Sequence, residues 1–336
     1  MRILVTGATG FLGSHLLAEL DRLGDGLPIR VLSQRRNSAL DKHGVDVCLG
    51  SVTRAEDVAR AVEGVTHIYH LAGFVSRDPD EGHRMHAVHV DGTRILCGEA
   101  AKAGVKRVVL VSTSGTVAVS DREDEFPDEE SPAPLSIISR WPYYASKYYQ
   151  EEAARRFCGD KVELVTVNPS LLLGPGDDRV GSTREVLSFL SGDIKLVPGG
   201  GLNFVDARDV AAFLPVAMEK GQAGRRYLLG GHNMTFADYF DRLERLSKSY
   251  SPRLKVKSGT AFFAARAQDF VLRALGRTPP IEPSAVEMAK YFWYFTGDRA
   301  RSELGFSPRE ATDTLFDTIT YVREHAMGDG VFRKKD

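Results

Sequence analysis

The first twenty residues combine a short apolar run, three regularly spaced glycines and an apolar helical stripe. Ile3–Val5 is continuous and apolar, as expected of a buried strand. Gly7, Gly10 and Gly13 follow at intervals of three residues. Apolar side chains then recur at helical spacing, at Phe11, Leu12, Leu16, Leu17 and Leu20. The pattern predicts that the chain begins with a strand, a tight turn and a helix.

Apolar runs and helical stretches keep alternating up to residue 168. Because strand and helix alternate strictly, we predict an α/β fold in which helices cover both faces of a doubly wound parallel sheet of the Rossmann type. The predicted strands after the first are Pro28–Leu32, Val45–Leu49, Thr66–Leu71, Val105–Ser112 and Val162–Asn168. The predicted helices are Arg54–Glu63, His83–Ala103 and one that begins near Pro142.

The pattern changes after Pro169, where glycine-rich loops precede a mostly helical remainder. Tyr227–Leu229 predicts one more strand of the first sheet. We therefore expect a Rossmann domain of residues 1–169 to which residues 203–231 return, and a smaller, mostly helical C-terminal substrate domain of residues 170–202 and 232–330. The helices predicted beyond residue 169 are Thr183–Ser191, Phe236–Tyr250, Ala261–Leu275, Pro283–Tyr291 and Ala311–His325.

Composition narrows the class of protein. With 43% hydrophobic and 26% charged residues, the 336-residue chain is typical of a soluble globular protein, and its net charge of −1 argues against nucleic acid as the main partner. The three scattered cysteines form no CxxC pair and suit a reducing compartment, so we expect a cytoplasmic location. No apolar run reaches 18 residues, so we expect no integral membrane segment. We expect no signal peptide, because the first strand begins at once.

Thr260–Gly276 is the most apolar helix candidate, although Arg266, Asp269 and Arg273 interrupt it. Such a helix covers a substrate pocket or core, or rests on a membrane surface. The sequence leaves both interpretations open.

The glycine turn predicts a dinucleotide site. Gly7 permits the turn, Gly10 lets backbone N–H groups approach a pyrophosphate, and Gly13 lets the helix pack closely on the strand. The positive end of the helix then faces the phosphates. A tight strand-to-helix turn without a ligand is the alternative.

Tyr143 and Lys147 are the candidate chemistry, because a spacing of four residues places them on one face of a helix. A nearby ammonium stabilises a phenolate and lowers the pKa of the tyrosine, which can then pass a proton to a carbonyl oxygen while a nicotinamide supplies hydride. Hydroxyl groups at Ser112–Ser114 follow the fifth strand and can hydrogen-bond the same oxygen. A solvent-facing Tyr/Lys pair on a helix is the alternative.

Taken together, these motifs resemble those of the extended short-chain dehydrogenase/reductases, and the nearest subgroup is the dihydroflavonol-4-reductase-like branch. The resemblance covers nearly the whole chain. It rests on Thr6–Gly13, His70–Gly73, Asp91–Thr93, Ser112–Ser114, Tyr143 with Lys147, Asn168–Ser170, Gly174–Gly176, Phe204–Val210, Tyr227–Gly231 and Ala300–Gly305.

The resemblance implies roles for these residues. Tyr143 would be the acid/base, Lys147 would hold the ribose hydroxyls, and Thr113 would be the catalytic hydroxyl, with Ser114 as the second choice. Substrate contacts are expected at Phe74, Ser114, Leu173 and Phe204. Cofactor contacts are expected at Thr6, Gly7, Thr9, Gly10, Phe11, Leu12, Gly13, Ser33, Arg35, Arg36, Ser51, Val52, Leu71, Ala72, Gly73, Tyr143, Lys147, Pro169 and Ser170.

The end of the second strand favours NADPH over NAD. A chain that prefers NAD usually carries Asp or Glu there, which accepts from the ribose 2′-hydroxyl. This chain has Ser33, followed by Arg35 and Arg36, whose guanidinium groups can attract a 2′-phosphate. NAD remains an alternative.

The chain departs from the family pattern at His89, where relatives usually carry Asn. His89 can serve as a substitute hydrogen-bond partner, or the proton route can differ. His83, His86 and His89 repeat every three residues, but metal pairs on a helix are normally four apart, so we expect no metal.

The sequence thus predicts an NADPH-dependent reductase of a ketone or aldehyde that also runs as an alcohol dehydrogenase. The alternatives are a sugar-nucleotide epimerase or dehydratase with bound NAD, and a non-catalytic dinucleotide-sensing regulator. Aromatic residues at 262–263, 270 and 291–295 suggest an apolar or aromatic small-molecule substrate, although the same residues can be core. The protein is expected to be a monomer or homodimer.

Overall fold

Seven parallel strands form the main sheet of the protein. A computed structural model describes residues 1–24, 26–250, 252, 254–255 and 283–328. The strands are β1 (Ile3–Thr6), β2 (Ile29–Ser33), β3 (Asp46–Leu49), β4 (His67–His70), β5 (Arg107–Val111), β6 (Glu163–Pro169) and β10 (Arg226–Leu229). They lie in the order β10-β6-β5-β4-β1-β2-β3, and each neighbouring pair is parallel. The predicted parallel sheet is confirmed.

Helices cover both faces of this sheet. Side chains alternate along a strand, so Ile3 and Val5 enter one hydrophobic core and Leu4 enters the other. Two helices pack on the first face, α1 (Phe11–Leu23) and α9 (Ala207–Lys220). Those on the second face are α3 (Ala55–Val62), α5 (Gly92–Lys102) and α7 (Pro142–Cys158). Two helices are single turns, α2 (Ser38–Asp41) and α6 (Leu135–Ile138).

The helix predicted at residues 83–103 is interrupted. It consists of α4 (Gly82–His86), a wider π-helical turn at Ala87–Asp91, and then α5. Such turns are rare and often occur at functional sites. The buried His89 lies in this turn.

The second part of the chain contains a small mixed sheet that the sequence pattern did not predict. Strand β9 (Gly201–Asp206) lies between β7 (Leu171–Leu173), which is parallel to it, and β11 (His232–Thr235), which is antiparallel. Strands this short are not distinguishable from loops or buried helix by periodicity. After β9 the chain returns to the main sheet through α9 and β10. The remaining pair is β8 (Leu196–Val197) with β12 (Leu254–Lys255).

Helices pack around the small sheet and form a third hydrophobic core with it. Three described helices contribute to this core, α8 (Arg184–Leu190), α10 (Phe236–Ser247) and Ala311–Val322. Asp298–Leu304 packs instead on the first core through Ala300 and Leu304, and the short helix Pro283–Met288 precedes it in the chain.

Some predictions fall outside the described residues. These are the helix Ala261–Leu275, the amphipathic stretch Thr260–Gly276 and the aromatic residues at 262–263 and 270. Within the described residues, no helix is both long and apolar enough to cross a membrane.

Candidate active site

The glycine turn between β1 and α1 has the close approaches that its spacing predicts. Gly7 adopts a positive φ of 76°, and a Cβ there would lie 2.6 Å from the Leu71 carbonyl carbon. A Cβ on Gly13 would lie 2.2 Å from the Gly7 oxygen. Larger residues at these two positions would therefore force α1 and the end of β4 away from the turn.

The first turn of α1 suits an anion. No side chain caps the helix at Gly10, and no acidic residue lies in its first turn. The backbone N–H groups and the positive end of the helix dipole are therefore available to a diphosphate. The residues present thus fit a dinucleotide.

A buried chain of hydrogen bonds runs from this turn to Lys147. Thr6 Oγ1 accepts from the Ala72 N–H (3.2 Å) and pairs with His70 Nδ1 (2.7 Å). His70 Nε2 pairs with Thr93 Oγ1 (2.8 Å), to which Gln150 Nε2 also donates (2.9 Å). Lys147 donates to Gln150 Oε1. Burial, with Lys147 nearby, lowers the pKa of His70 to about 3, so this histidine is neutral.

Sequence reasoning gave no role to His70, Thr93 or Gln150. The first two lie in motifs that carried the family resemblance. No signal in the sequence singled out Gln150. One of its partners, Thr93, lies 57 residues away in the sequence, and the other, Lys147, lies on the same helix.

At the end of β2, Ser33 donates its hydroxyl to the Arg35 carbonyl (2.8 Å). The Arg35 guanidinium forms no ion pair within the described residues, whereas Arg36 lies 3.7 Å from Asp41. Beyond β3, the Ser51 hydroxyl pairs with Thr53 Oγ1 (2.8 Å), and Val52 is buried against Gly92. Two arginines thus flank the position where a ribose 2′ group is expected.

Other expected cofactor contacts lie at the carboxyl ends of β1, β4 and β6. Ser170 follows β6, and its buried hydroxyl oxygen has no hydrogen-bond partner among the described residues. Phe11 packs edge-on against His15, which bonds the Pro175 carbonyl (2.9 Å), and Leu12 is buried in the core. The structure therefore gathers these positions around the sheet edge, while their contacts with a cofactor stay predictions.

Helix α7 carries the predicted Tyr143 and Lys147. Pro142 occupies its first turn, where a missing N–H costs nothing. Lys147 is 4% exposed, and its ammonium donates to the Val111 carbonyl at the end of β5 (2.8 Å). Burial lowers the pKa of Lys147 to about 7, while Glu151 acts in the opposite direction. The helix thus fixes Lys147 against the strand that precedes the hydroxyl cluster.

The pKa of Tyr143 moves against the prediction. Burial raises it, with a further contribution from Tyr144, whereas the sequence predicted that Lys147 would lower it. Desolvation of the phenolate is the larger cause, and Lys147 is not among the groups that shift this pKa. Tyr143 is consequently a protonated phenol at neutral pH.

Thr113 lies in extended backbone directly after β5, with φ −149° and ψ 148°. Its hydroxyl oxygen accepts from the Gly115 N–H (3.3 Å), and its carbonyl accepts from Asn168 Nδ2 (3.0 Å). The Ser112 hydroxyl donates to Glu151 Oε1 (2.6 Å), and Ser114 is buried. The turn after β5 packs on α7 and so places Thr113 beside the helix that carries Tyr143.

His89 joins the loop after β4 to α7. Its Nε2 accepts from the Phe74 N–H (3.0 Å), so Nδ1 carries the proton and donates to Ser146 Oγ (2.9 Å). Ser146 in turn donates to the Tyr143 carbonyl (2.8 Å), and the His89 and Tyr143 rings meet edge-on at 5.8 Å. Burial lowers the pKa of His89 to about 2. His83 and His86 are exposed, and no metal-binding group occurs among the described side chains.

An aromatic wall, formed by Trp141, Tyr144 and Trp293, lies next to Tyr143. Tyr144 stacks on Trp293 at 4.7 Å and meets Tyr143 at 5.1 Å. Trp141 contacts both Tyr144 and Trp293. A Cβ on Gly115 would lie 2.3 Å from the Tyr144 ring, so only glycine leaves room for this ring. An apolar surface therefore borders the candidate proton donor.

Of the predicted substrate contacts, Phe74 borders the candidate site, whereas Leu173 and Phe204 lie in a hydrophobic core. Phe74 lies at the site, with its N–H on His89 and the Arg84 guanidinium 4.1 Å from its ring centre. Leu173 and Phe204 are fully buried in the third hydrophobic core. Contact of these residues with a substrate stays a prediction.

Comparison with known proteins identifies relatives over the full length. The model of the NAD dependent epimerase/dehydratase family matches residues 3–230. Sterol demethylase protein B of Methylococcus capsulatus is 31% identical over 333 residues, which cover 97% of this chain and 100% of the relative. A putative dihydroflavonol 4-reductase of Synechocystis is 28% identical and covers 96% of this chain and 94% of its own. The crystal structure of gox2253 superposes with a TM-score of 0.81 at 29% identity, covering 96% of this chain and 98% of its own.

Proposed function

The chain belongs to the NAD-dependent epimerase/dehydratase family of extended short-chain dehydrogenase/reductases, and from this premise we propose that it is an NADPH-dependent reductase of a ketone or aldehyde. The reverse reaction is the oxidation of the corresponding alcohol. We also propose that residues 170–202 and 232–330 bind the substrate against a Rossmann domain formed by residues 1–169 and 203–231.

One observation carries the proposal. Lys147 is buried against the end of β5, four residues after Tyr143 and beside the turn that begins at Thr113. The turn that carries a hydroxyl group thus packs on the helix that carries a phenol and an ammonium, at the carboxyl edge of a parallel sheet, where ligands of such sheets bind.

The dinucleotide, when bound, supplies a hydride for the carbonyl carbon. Tyr143 donates its phenolic proton to the carbonyl oxygen, and Thr113 donates a hydrogen bond to the same atom. Lys147 stabilises the phenolate that remains. The raised pKa of Tyr143 suits this direction, because the phenol is protonated at the start of a reduction.

The 2′ end of the site supports NADPH. Ser33 stands where a carboxylate would repel a 2′-phosphate, and Arg35 has no ion-pair partner among the described residues. Charge-assisted bonds to phosphate are strong and geometrically selective, which favours the phosphorylated cofactor.

The substrate class follows from the aromatic wall and from the names of the relatives. Tyr144 and Trp293 stack on each other against the buried Trp141 and offer part-exposed aromatic surface beside Tyr143. Sterols and dihydroflavonols are fused-ring compounds. We therefore propose an apolar fused-ring ketone or an aromatic aldehyde as substrate.

Sugar-nucleotide chemistry is the competing function within the family. An enzyme of that kind needs basic residues for the diphosphate of its substrate, and the candidates are Arg179, Arg184 and Arg208. Arg208, one candidate for this role, is held by Asp206 and Asp317, each at 2.7 Å. Because two carboxylates already bind its guanidinium, Arg208 is poorly suited to a diphosphate, which favours the reductase.

The test is a spectrophotometric screen of NADPH and NADH oxidation by the purified protein. The panel includes steroid ketones, flavanonols and cinnamyl-type aldehydes, and UDP-glucose and dTDP-glucose are followed in parallel by product analysis. We expect net NADPH consumption with at least one carbonyl compound. Isomerisation or dehydration of a sugar nucleotide without net redox change would refute the proposal.

Two tyrosine variants assign the activity to the site. Tyr143→Phe should lower kcat by about 100- to 10,000-fold, the range for loss of a general acid. Tyr149→Phe removes a hydroxyl group from an exposed position of the same helix and should leave kcat unchanged. Fluorescence titration with NADPH should give similar affinities for both variants.

A further inference from the structure

Glu151 is a charged residue with no solvent exposure, one helical turn beyond Lys147 on α7. Its Oε1 accepts from Ser112 Oγ (2.6 Å), Thr116 Oγ1 (2.9 Å) and Asn168 Nδ2 (2.8 Å). Its Oε2 accepts from Arg226 Nη2 (2.8 Å). All four partners donate, so the carboxyl group acts as an acceptor throughout, as an ionised carboxylate does.

Three of these partners surround Thr113. Ser112 precedes it, Thr116 closes the turn that follows it, and Asn168 Nδ2 also donates to the Thr113 carbonyl (3.0 Å). The Thr116 hydroxyl lies 3.0 Å from the same carbonyl oxygen, so its single proton is shared between that oxygen and Glu151 Oε1. One carboxylate therefore fixes the backbone on both sides of the residue that presents the candidate catalytic hydroxyl.

Glu151 also faces Lys147, because residues four apart are neighbours on a helix surface. The other groups with which the ammonium interacts are the Val111 carbonyl, Gln150, His70 and His89. Both histidines are neutral, and burial keeps Tyr143, four residues earlier on the same helix, protonated. Among the described side chains, Glu151 is thus the one whose negative charge raises the pKa of Lys147 against the effect of burial.

We propose that Glu151 is a positioning residue of the reductase site, which fixes the turn that presents Thr113 and supplies the counter-charge of the Lys147 ammonium. This inference rests on the proposed function for the roles of Thr113, Tyr143 and Lys147. Glu151 acts through these groups and touches neither substrate nor cofactor in this proposal.

Arg226 makes the proposal directional. It lies on β10, an edge strand, and its guanidinium donates to the same carboxylate. Arg155 lies near the same oxygen, at 3.7 Å. Removing Glu151 takes away the counter-charge of Lys147, whereas removing Arg226 takes away a positive charge that disfavours protonation of Lys147. The two substitutions should move the pKa of Lys147 in opposite directions.

The experiment measures the pKa of Lys147 in the cofactor-free protein by NMR, through the ¹³Cε shift of selectively labelled lysine. The signal is assigned by its absence from Lys147→Met. An opposite charge within about 4–6 Å shifts a pKa by about 1 to 3 units. We expect Glu151→Gln to lower the Lys147 pKa by about 1 unit or more, Arg226→Met to raise it, and Glu151→Asp to restore most of the wild-type value.

Glu152→Gln is the matched control, because it removes a carboxylate from the next, exposed position of the same helix. Its Lys147 titration should match that of the wild type. Unchanged Lys147 titration in both Glu151→Gln and Arg226→Met would overturn the proposal and leave Glu151 a structural residue. If Glu151→Gln does not fold, the rise expected for Arg226→Met still decides the question.

Kinetics distinguish this inference from the proposed function. With a carbonyl substrate, the pH at which kcat/KM declines should fall in Glu151→Gln and rise in Arg226→Met, in step with the NMR values. If the wild-type protein reduces no carbonyl compound, the proposed function fails, while the NMR titration still tests the counter-charge. A kcat/KM profile that stays fixed while the Lys147 pKa moves would refute the link between Glu151 and catalysis.

Discussion

Burying Lys147 makes the stability of the folded protein depend on pH in a way that one substitution can isolate. The folded protein lowers the pKa of Lys147 from 10.5, the ordinary value, to about 7. Between these values the unfolded chain binds more protons than the folded chain. The free energy of unfolding therefore rises with pH across this window. As the pH falls towards 7, the folded protein must hold a charged lysine in its core, and its free energy of unfolding decreases.

The magnitude follows from the shift. One pKa unit corresponds to about 1.4 kcal/mol, so burial of the lysine costs about 4 kcal/mol at pH 7 and about 2 kcal/mol at pH 9. Lys147→Met removes this cost and fills similar space with an unbranched apolar chain. It also leaves the Val111 and Gln150 oxygens without their donor, at about 1–3 kcal/mol each.

The two effects of Lys147→Met roughly cancel at pH 7, but only the first depends on pH. We therefore expect wild type and variant to have similar free energies of unfolding at pH 7. At pH 9 the wild type should be more stable than the variant by about 2 kcal/mol. Urea unfolding of the cofactor-free proteins at pH 7, 8 and 9 and constant ionic strength measures this difference.

Lys102→Met is the control for the loss of one lysine, because Lys102 is an exposed helix residue paired with Glu99. Its difference from the wild type should not change with pH in this range. A constant difference between wild type and Lys147→Met from pH 7 to 9 would refute the reasoning, since it would mean that the ammonium is not desolvated.

Three further predictions concern the cofactor site and His89. Arg35→Ala should raise KM for NADPH by about tenfold or more and leave KM for NADH unchanged, because the loss is that of a charge-assisted bond to the 2′-phosphate; an equal rise for both cofactors in initial-rate kinetics would contradict this. Gly13→Ala should abolish NADPH binding in fluorescence titrations, since its Cβ would lie 2.2 Å from the Gly7 oxygen, whereas Gly98→Ala, with open space around it, should bind normally. ¹⁵N NMR should find His89 neutral with the proton on Nδ1 down to pH 5, because burial lowers its pKa to about 2; a protonated or Nε2–H form would be inconsistent with the Phe74 hydrogen bond.

The small sheet of the second part shows where pattern reasoning reached its limit. β7 is three residues long and every residue of β9 is buried, so neither displays the period-2 alternation of a half-exposed strand. Their pairing depends on each other and on β11, more than twenty residues further along the chain. The helices around them were predicted because their stripes are longer.

The glycine turn, the strands of the main sheet and the Tyr143/Lys147 pair were determined by the sequence alone. Each depends on neighbours within a few residues: a positive φ at Gly7, apolar runs of four to seven residues, and the four-residue spacing on α7. Local sterics and periodicity act at this range, so the residue order is enough to predict them.

The direction of the Tyr143 pKa, the tautomer of His89 and the carboxylate behind Thr113 were decided by the tertiary structure. Desolvation depends on what packs over a group, and Glu151 meets Ser112 just after β5, Asn168 on β6 and Arg226 on β10, at separations of 17 to 75 residues. Such contacts exist only once the sheet has assembled. The sequence predicted the candidate catalytic groups, and the assembled core shifted their pKa values and fixed their hydrogen bonds.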